Sequence, residues 1–209
     1  MARVLKHKVA KTSIAIVGDG HTERIYFADM RDTDRPDNLT ISPDFPKKVG
    51  SYSGVLEKAI ELKEKEYDHV YALIDMDKVF QDNKQVQYAK DKATAQAKGI
   101  VVLENNPCFE VWILLHFVRT SRLFQNCGEV VDEIKKAGRI PAYDKSKKFQ
   151  EAAKLYANYK ENRLKANAIP NARFLEEQRR GKSPLYPRAQ TFRFFEWYFN
   201  LEPYELKEE

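Results

Sequence analysis

Four carboxylates in this sequence fall where an enzyme would need them. Glu23 stands in GDGHTERIYF, Asp75 and Asp77 form the D-x-D of LIDMDK, and Glu110 ends ENNPCFE. Each lies just past a β-rich stretch, and an open parallel sheet holds its ligands at the carboxyl ends of its strands. Asp75 is the most telling of them. It follows directly on the run VYALI, where burying an unpaired charge is costly, and a bound cation would relieve that cost. Asp77, two residues on, faces the same side if the chain stays extended, so both carboxylates could share one ion. Oxygen ligands of this kind suit Mg²⁺ or Mn²⁺, and no His or Cys stands at zinc spacing. Magnesium keeps several waters and takes only one or two carboxylates, which leaves room for a substrate phosphate.

Each candidate has a plainer reading. An Asp at a strand end also caps turns, and D-x-D gains weight only when joined by Glu23 in this β/α order. Glu110 fits a first-turn carboxylate answering a helix dipole, but its place beside Trp112 in an otherwise apolar helix favours a positioned role. His21, Asn106, Trp112 and His116 are supporting candidates. His116, six residues beyond Glu110 and off its helical face, reads better as a satisfied core histidine. GDGHTE lacks the third glycine and the lysine of a phosphate-binding loop.

The elements that must position these acids alternate. TSIAIVGDG, LTISPDF (interrupted by its proline), HVYALIDMD and GIVVLENN read as strands. TERIYFADM, SGVLEKAIELKEKEY and a polar segment running through Ala97 read as the intervening helices. That order implies an α/β fold, a mostly parallel sheet with helices on its faces. From Pro107 onward the strands stop. CFEVWILLHFV, EVVDEIKKAG, KKFQEAAKLYANYKENRLKA and RAQTFRFFEWYFNL all read as helices, a helical lobe over 107–209 packed on an α/β core over 1–106. The aromatic-rich RFFEWYF could serve as core or as a dimer seam, and core is preferred; the oligomeric state stays open.

A chain of 209 residues with 12 Phe and 11 Tyr, 43% hydrophobic and only 8 Gly and 9 Pro, is neither low-complexity nor wholly disordered. Its net charge of +5 is unevenly spread. Residues 144–193 hold 13 Lys+Arg against 5 Asp+Glu, and the remaining chain has a net −3. Lys145, Lys147, Lys148, Arg173, Arg179, Arg180 and Arg188, interleaved with tyrosines, are candidates to hold a nucleic-acid backbone. Cys108 and Cys127 are expected to be buried or semi-buried thiols in a reducing compartment. The basic segment MARVLKHKVAK lacks the apolar stretch of a secretory signal, and VWILLHFV is too short to cross a bilayer. The expectation is a soluble, cytoplasmic protein.

Taken together, GDGHTERIYF, LIDMDK and NNPCFEVWILLHF resemble the RloB-like family, proteins encoded beside bacterial restriction-modification and other defence loci. The last segment is close to that family's Asn-Pro-x-Phe-Glu-x-Trp-Leu-Leu-Leu-His-Phe signature, with Ile113 in place of one Leu. AYDKSKKF, with Tyr143 and Lys145, resembles its downstream Tyr-x-Lys element. The likeness runs over roughly 12–195 and weakens at SPLYPRAQTF, where the family often has Asn-Pro-x-Thr. It implies a Toprim-like fold in which Glu23 and the Asp75/Asp77 pair bind magnesium and act on phosphodiesters. NNPCFEVW has no counterpart in standard Toprim domains, so Asn106 and Glu110 would add to the site or replace part of it. The function expected is a Mg²⁺- or Mn²⁺-dependent nuclease in anti-phage defence, possessing nucleic acid and other defence proteins as partners. The alternatives are a non-catalytic nucleic-acid-binding or sensor subunit and an enzyme acting on small phosphates.

Overall fold

The computed structural model describes residues 11–47 and 50–200; the basic N-terminal segment lies outside them. The first half alternates as the sequence pattern requires: β1 (Thr12–Val17), α1 (His21–Asp34), β2 (Leu39–Asp44), α2 (Tyr52–Glu64), β3 (His69–Asp75), α3 (Met76–Gln81), α4 (Gln85–Ala97) and β4 (Ile100–Asn106). The second half contains α5 (Glu110–Leu115), α6 (Cys127–Ile134), α7 (Lys147–Ala153), α8 (Leu155–Tyr159), a π-helical stretch (Lys160–Ala168) and α9 (Ile169–Gln178), then β5 (Arg188–Ala189) and α10 (Thr191–Tyr198). One five-stranded sheet runs in the order β2-β1-β3-β4-β5. The first four strands are parallel, and β5 pairs antiparallel with the end of β4.

Both faces of the sheet are apolar because helices cover both. Ile14, Ile16, Tyr71, Leu73 and Leu103 join the larger core, with α1, α5 and α10. Ala15, Val17, Val70, Ala72, Ile74 and Val102 alternate with them and pack with α2 and α4. Pro43 is accommodated in β2 because that strand is the sheet's edge.

Three expectations change. The predicted helix over 147–166 is broken at Lys154, whose backbone is left-handed at φ 43° and separates α7 from α8. The second half is not purely helical: β5 completes the sheet, and a single apolar cluster joins Ile14 and Phe27 to Leu155, Phe194 and Phe195. RFFEWYF is core, since Phe194 and Phe195 are fully buried. Cys108 and Cys127 are not free thiols but a disulfide. Nineteen residues of separation gave no sign of this pairing, which arises because α6 packs against α5.

Candidate functional site

The strand order places a crossing point between β1 and β3. The chain leaves β1 through α1 on one face to reach β2, then returns through α2 on the other face to reach β3. Such a switch opens a crevice beyond the carboxyl ends of the two strands. A pocket of about 220 Å³ lies there, and Asp19, Glu23, Asp75, Glu110 and Lys145 are in its wall.

Each side chain reaches the pocket for a local reason. Gly18 follows β1 so close to α1 that a Cβ on it would lie 2.4 Å from the Cβ of Glu23. Only a glycine lets the first turn of α1 fold back over the strand and deliver Glu23, 4% exposed, to the site. Asp19 accepts hydrogen bonds from the backbone of Gly50 (2.8 Å) and Ser51 (3.0 Å), tying the β1 loop to the start of α2. Asp75 ends β3 and accepts from the Phe109 amide at 2.8 Å, while the Asp77 amide donates to the Pro107 carbonyl at 2.9 Å. The segment before α5, entered through a cis Asn106–Pro107 peptide, is thereby stitched to β3, and Glu110 is carried in with it. Glu110 is 1% exposed; its Oε1 faces Lys145 Nζ at 2.9 Å and accepts from the Tyr143 hydroxyl at 3.3 Å.

The pocket's charges do not balance. Burial, then the neighbouring Glu110, push the Glu23 carboxyl up to about 7. Burial, then Glu23 and Glu110, hold Asp75 well above the ordinary carboxylate range. Asp77 is raised mainly by burial. Burial opposes the charge of Lys145, but Glu110, Asp75 and Glu23 outweigh it and raise its pKa. These groups sense one another, and the carboxylates outnumber the lysine. Oxygen donors with surplus negative charge are the kind a hard divalent ion takes, and Glu23, Asp75 and Glu110 line one wall, but among the described residues the group whose ligand atoms lie within 4.8 Å of one another is Cys108, Glu110 and Cys127.

Asp77 does not join Asp75 through an extended chain. The strand ends at Asp75, and Asp77 stands in the first turn of α3, with Oδ1 accepting from the Lys78 amide at 2.6 Å. It stays near the site electrostatically, for Lys145 and Glu110 both act on it. Glu110, not Asp77, joins Asp19, Glu23 and Asp75 in the pocket wall.

His21 lines the pocket with its ring edge-on to Phe45. The other supporting candidates lie elsewhere. Trp112 donates from Nε1 to the Tyr26 hydroxyl deep in the core. His116 is buried, with Nδ1 2.9 Å from the Trp112 carbonyl, and burial pulls its pKa down to about 4. Asn106 donates to the carbonyls of Pro184 and Tyr186, fixing the segment that leads into β5.

The basic candidates divide. Lys145 is in the pocket, and the exposed Lys147 and Lys148 follow it. Arg180 is exposed. Arg188 is paired with buried Glu104, Arg179 with buried Glu176 at 3.3 Å, and Arg173 with buried Glu196 at 2.5 Å. Those three hold the fold together. Sequence reasoning passed over Asp19, which the GDG turn could have marked, and Cys127, which approaches Glu110 Oε2 to 3.0 Å.

A search of curated proteins and a search of solved structures find no match to this chain. Among the described residues, no helix is long and apolar enough to cross a membrane. The family model described as "RloB-like protein" matches residues 14–192. That span takes in both strand-end acids, the α5 glutamate and Lys145, and the chain belongs to the RloB-like family.

Proposed function

We propose that this protein is a metal-dependent nuclease that hydrolyses phosphodiester bonds of DNA or RNA, acting in the cytoplasm in bacterial anti-phage defence. One observation carries the reading: buried Glu23 and Glu110 and partly buried Asp75 line one pocket at the sheet's switch point, where Lys145 is the only ammonium in the wall among the described residues. The positions of Glu23 after β1 and Asp75 at the end of β3 are those that a Toprim-like site would use, with Glu110 added and Asp77 in the first turn of α3.

Bound Mg²⁺ or Mn²⁺ would supply charge neutralisation at the phosphoryl group and acidify a water. The protein's own groups do the rest. Asp75, oriented by the Phe109 amide on Oδ1, lines the pocket. Glu23, with a pKa about 7, gains or loses a proton near neutrality and suits a general base. Lys145 Nζ holds Glu110 in place and offers a positive charge to a phosphate oxygen. Lys147, Lys148 and Arg180 extend that charge toward a polyanion.

The test is a cleavage assay on labelled DNA and RNA with Mg²⁺, Mn²⁺ or EDTA. Activity should need the divalent ion and fall about 10³-fold in Asp75→Asn, since several kcal/mol of charge stabilisation are lost. Full activity in that variant overturns the assignment. The Lys145–Glu110 pair favours a second reading, because an ammonium already meets part of the pocket's charge without a metal. A non-catalytic nucleic-acid-binding subunit would bind polyanion in EDTA and would not lose that binding in Asp75→Asn.

A further inference from the structure

The cysteine pair beside the pocket is unaccounted for by the nuclease reading. Cys108 precedes α5 and is 1% exposed; Cys127 is the first residue of α6, set there by the Asn126 side chain accepting from the Glu129 amide. The Sγ atoms and a Glu110 carboxylate oxygen all lie within 4.8 Å of one another. Cys127 Sγ is 3.0 Å from Glu110 Oε2, and Lys145 Nζ is 3.5 Å from the same sulfur. A disulfide sulfur has no proton to donate. In the oxidised protein this close approach therefore sets sulfur lone pairs against carboxylate lone pairs and satisfies neither.

The same three groups become a coherent set once the bond is reduced. A thiol on Cys127 would donate to Glu110, and two thiolates with one carboxylate form a donor set for a soft or borderline divalent ion. Their Cα atoms stand 5.7 Å apart, close enough for two thiolates about 3.8 Å apart on one tetrahedral ion with Zn–S bonds of about 2.3 Å. The side chain of Lys145 is half exposed.

We propose that reduced Cys108 and Cys127, with Glu110, form a second metal site, selective for zinc-like ions and closed by disulfide formation. The chemistry balances with a dithiol as reductant. The dithiol gives up two electrons and two protons and becomes a cyclic disulfide, while the Cys108–Cys127 bond is replaced by two S–H bonds. Binding of a divalent ion then releases the two thiol protons to solvent. If the nuclease reading holds, Glu110 is common to both sites, with Oε2 the oxygen nearer the sulfurs, so zinc here would compete for its charge with an ion held by Glu23 and Asp75. Only that consequence depends on the nuclease reading; the site itself does not.

Co²⁺ is the probe, because thiolate-to-cobalt charge transfer gives a near-ultraviolet absorption that oxygen ligands do not. The chain has only 2 Cys, so any such band must come from this pair. The full chain, reduced with a dithiol that is then removed anaerobically, should develop the band, saturating at one ion per chain, and lose it on adding Zn²⁺. Protein oxidised with diamide should show no band, and this arm needs no substitution. Reduced Cys127→Ser should lose most of the intensity. Glu110→Gln should keep the band but bind at least roughly tenfold more weakly, the lower end of what removing even an outer-sphere partner costs. No band in the reduced wild-type chain, or an undiminished band in the oxidised chain, overturns the proposal whether or not the protein cleaves nucleic acid.

Discussion

Strand β4 separates two clusters of buried carboxylates that look alike in sequence and differ in what surrounds them. On one face Glu104 meets the Tyr88 hydroxyl at 2.9 Å, Lys92 at 2.7 Å and the Arg188 guanidinium. Nearby Glu176 is met by Arg179, Arg193 and the Gln190 amide. Beyond the carboxyl ends of β1 and β3, Glu23 and Glu110 are as deeply buried and Asp75 partly so, yet they share Lys145. Cations exceed carboxylates in the first cluster, and the reverse holds in the second. Burial therefore marks neither as functional. On the proposed reading the uncompensated charge does, because a fold gains nothing from burying carboxylates against one another.

The contrast breaks most visibly by removing one acid from each side. Glu104→Gln leaves Lys92 and Arg188 without their buried partner and should cost about 3–5 kcal/mol, read as a lowered midpoint in urea. Asp75→Asn removes a charge that its neighbours disfavour. Its midpoint should stay the same or rise, while divalent binding is lost. A stability loss in Asp75→Asn equal to that of Glu104→Gln would make the pocket another structural ion-pair cluster.

Gly18→Ala tests how the pocket is built. The new Cβ would meet the Glu23 Cβ at 2.4 Å, and the backbone must shift to relieve it. Overpacking of this kind costs about 1–3 kcal/mol. Divalent affinity, followed by Mn²⁺ electron paramagnetic resonance, should weaken as well. Wild-type affinity in this variant would show that Glu23 does not need its tight approach to β1.

Proton release should sharpen the comparison further. Glu23 has a native pKa about 7 against an ordinary value of 4.5. Between those values the native protein holds a proton that the unfolded chain has released, so metal-free stability falls as pH rises through that window. A divalent ion takes the proton's place. The rise in melting temperature on adding Mg²⁺ should therefore be small at pH 5 and grow toward pH 8. The reverse trend would place the ion elsewhere.

Much of this was legible in the sequence, and the failures share a cause. The alternation of apolar runs and amphipathic stretches foretold the parallel sheet, and the acids beyond the ends of β1 and β3 pointed to where Glu23 and Asp75 line one pocket. Asp77 was misplaced because period-two reasoning holds only while the strand lasts, and the strand ends at Asp75. Arg173, Arg179 and Arg188 read as a polyanion surface because a sequence shows cations but not the buried glutamates that claim them. The Cys108–Cys127 contact depends on α5 packing against α6, which no local pattern encodes. Pairings between distant elements are where one-dimensional reasoning ends.

The surface cations give the smallest effect and the most direct check on that last distinction. Arg180, Lys147 and Lys148 are exposed, so replacing one with Ala should change the unfolding free energy read in urea by no more than about 0.5 kcal/mol. If they touch phosphates, each loss should lower the slope of log affinity against log salt by about 1. Arg188→Ala should behave oppositely: its guanidinium pairs with buried Glu104, so stability falls while the salt slope at low denaturant stays near wild type. A slope that changes with Arg188 and not with Lys148 or Arg180 would move the nucleic-acid path to the β4–β5 edge, and the compensated cluster would then be the interface.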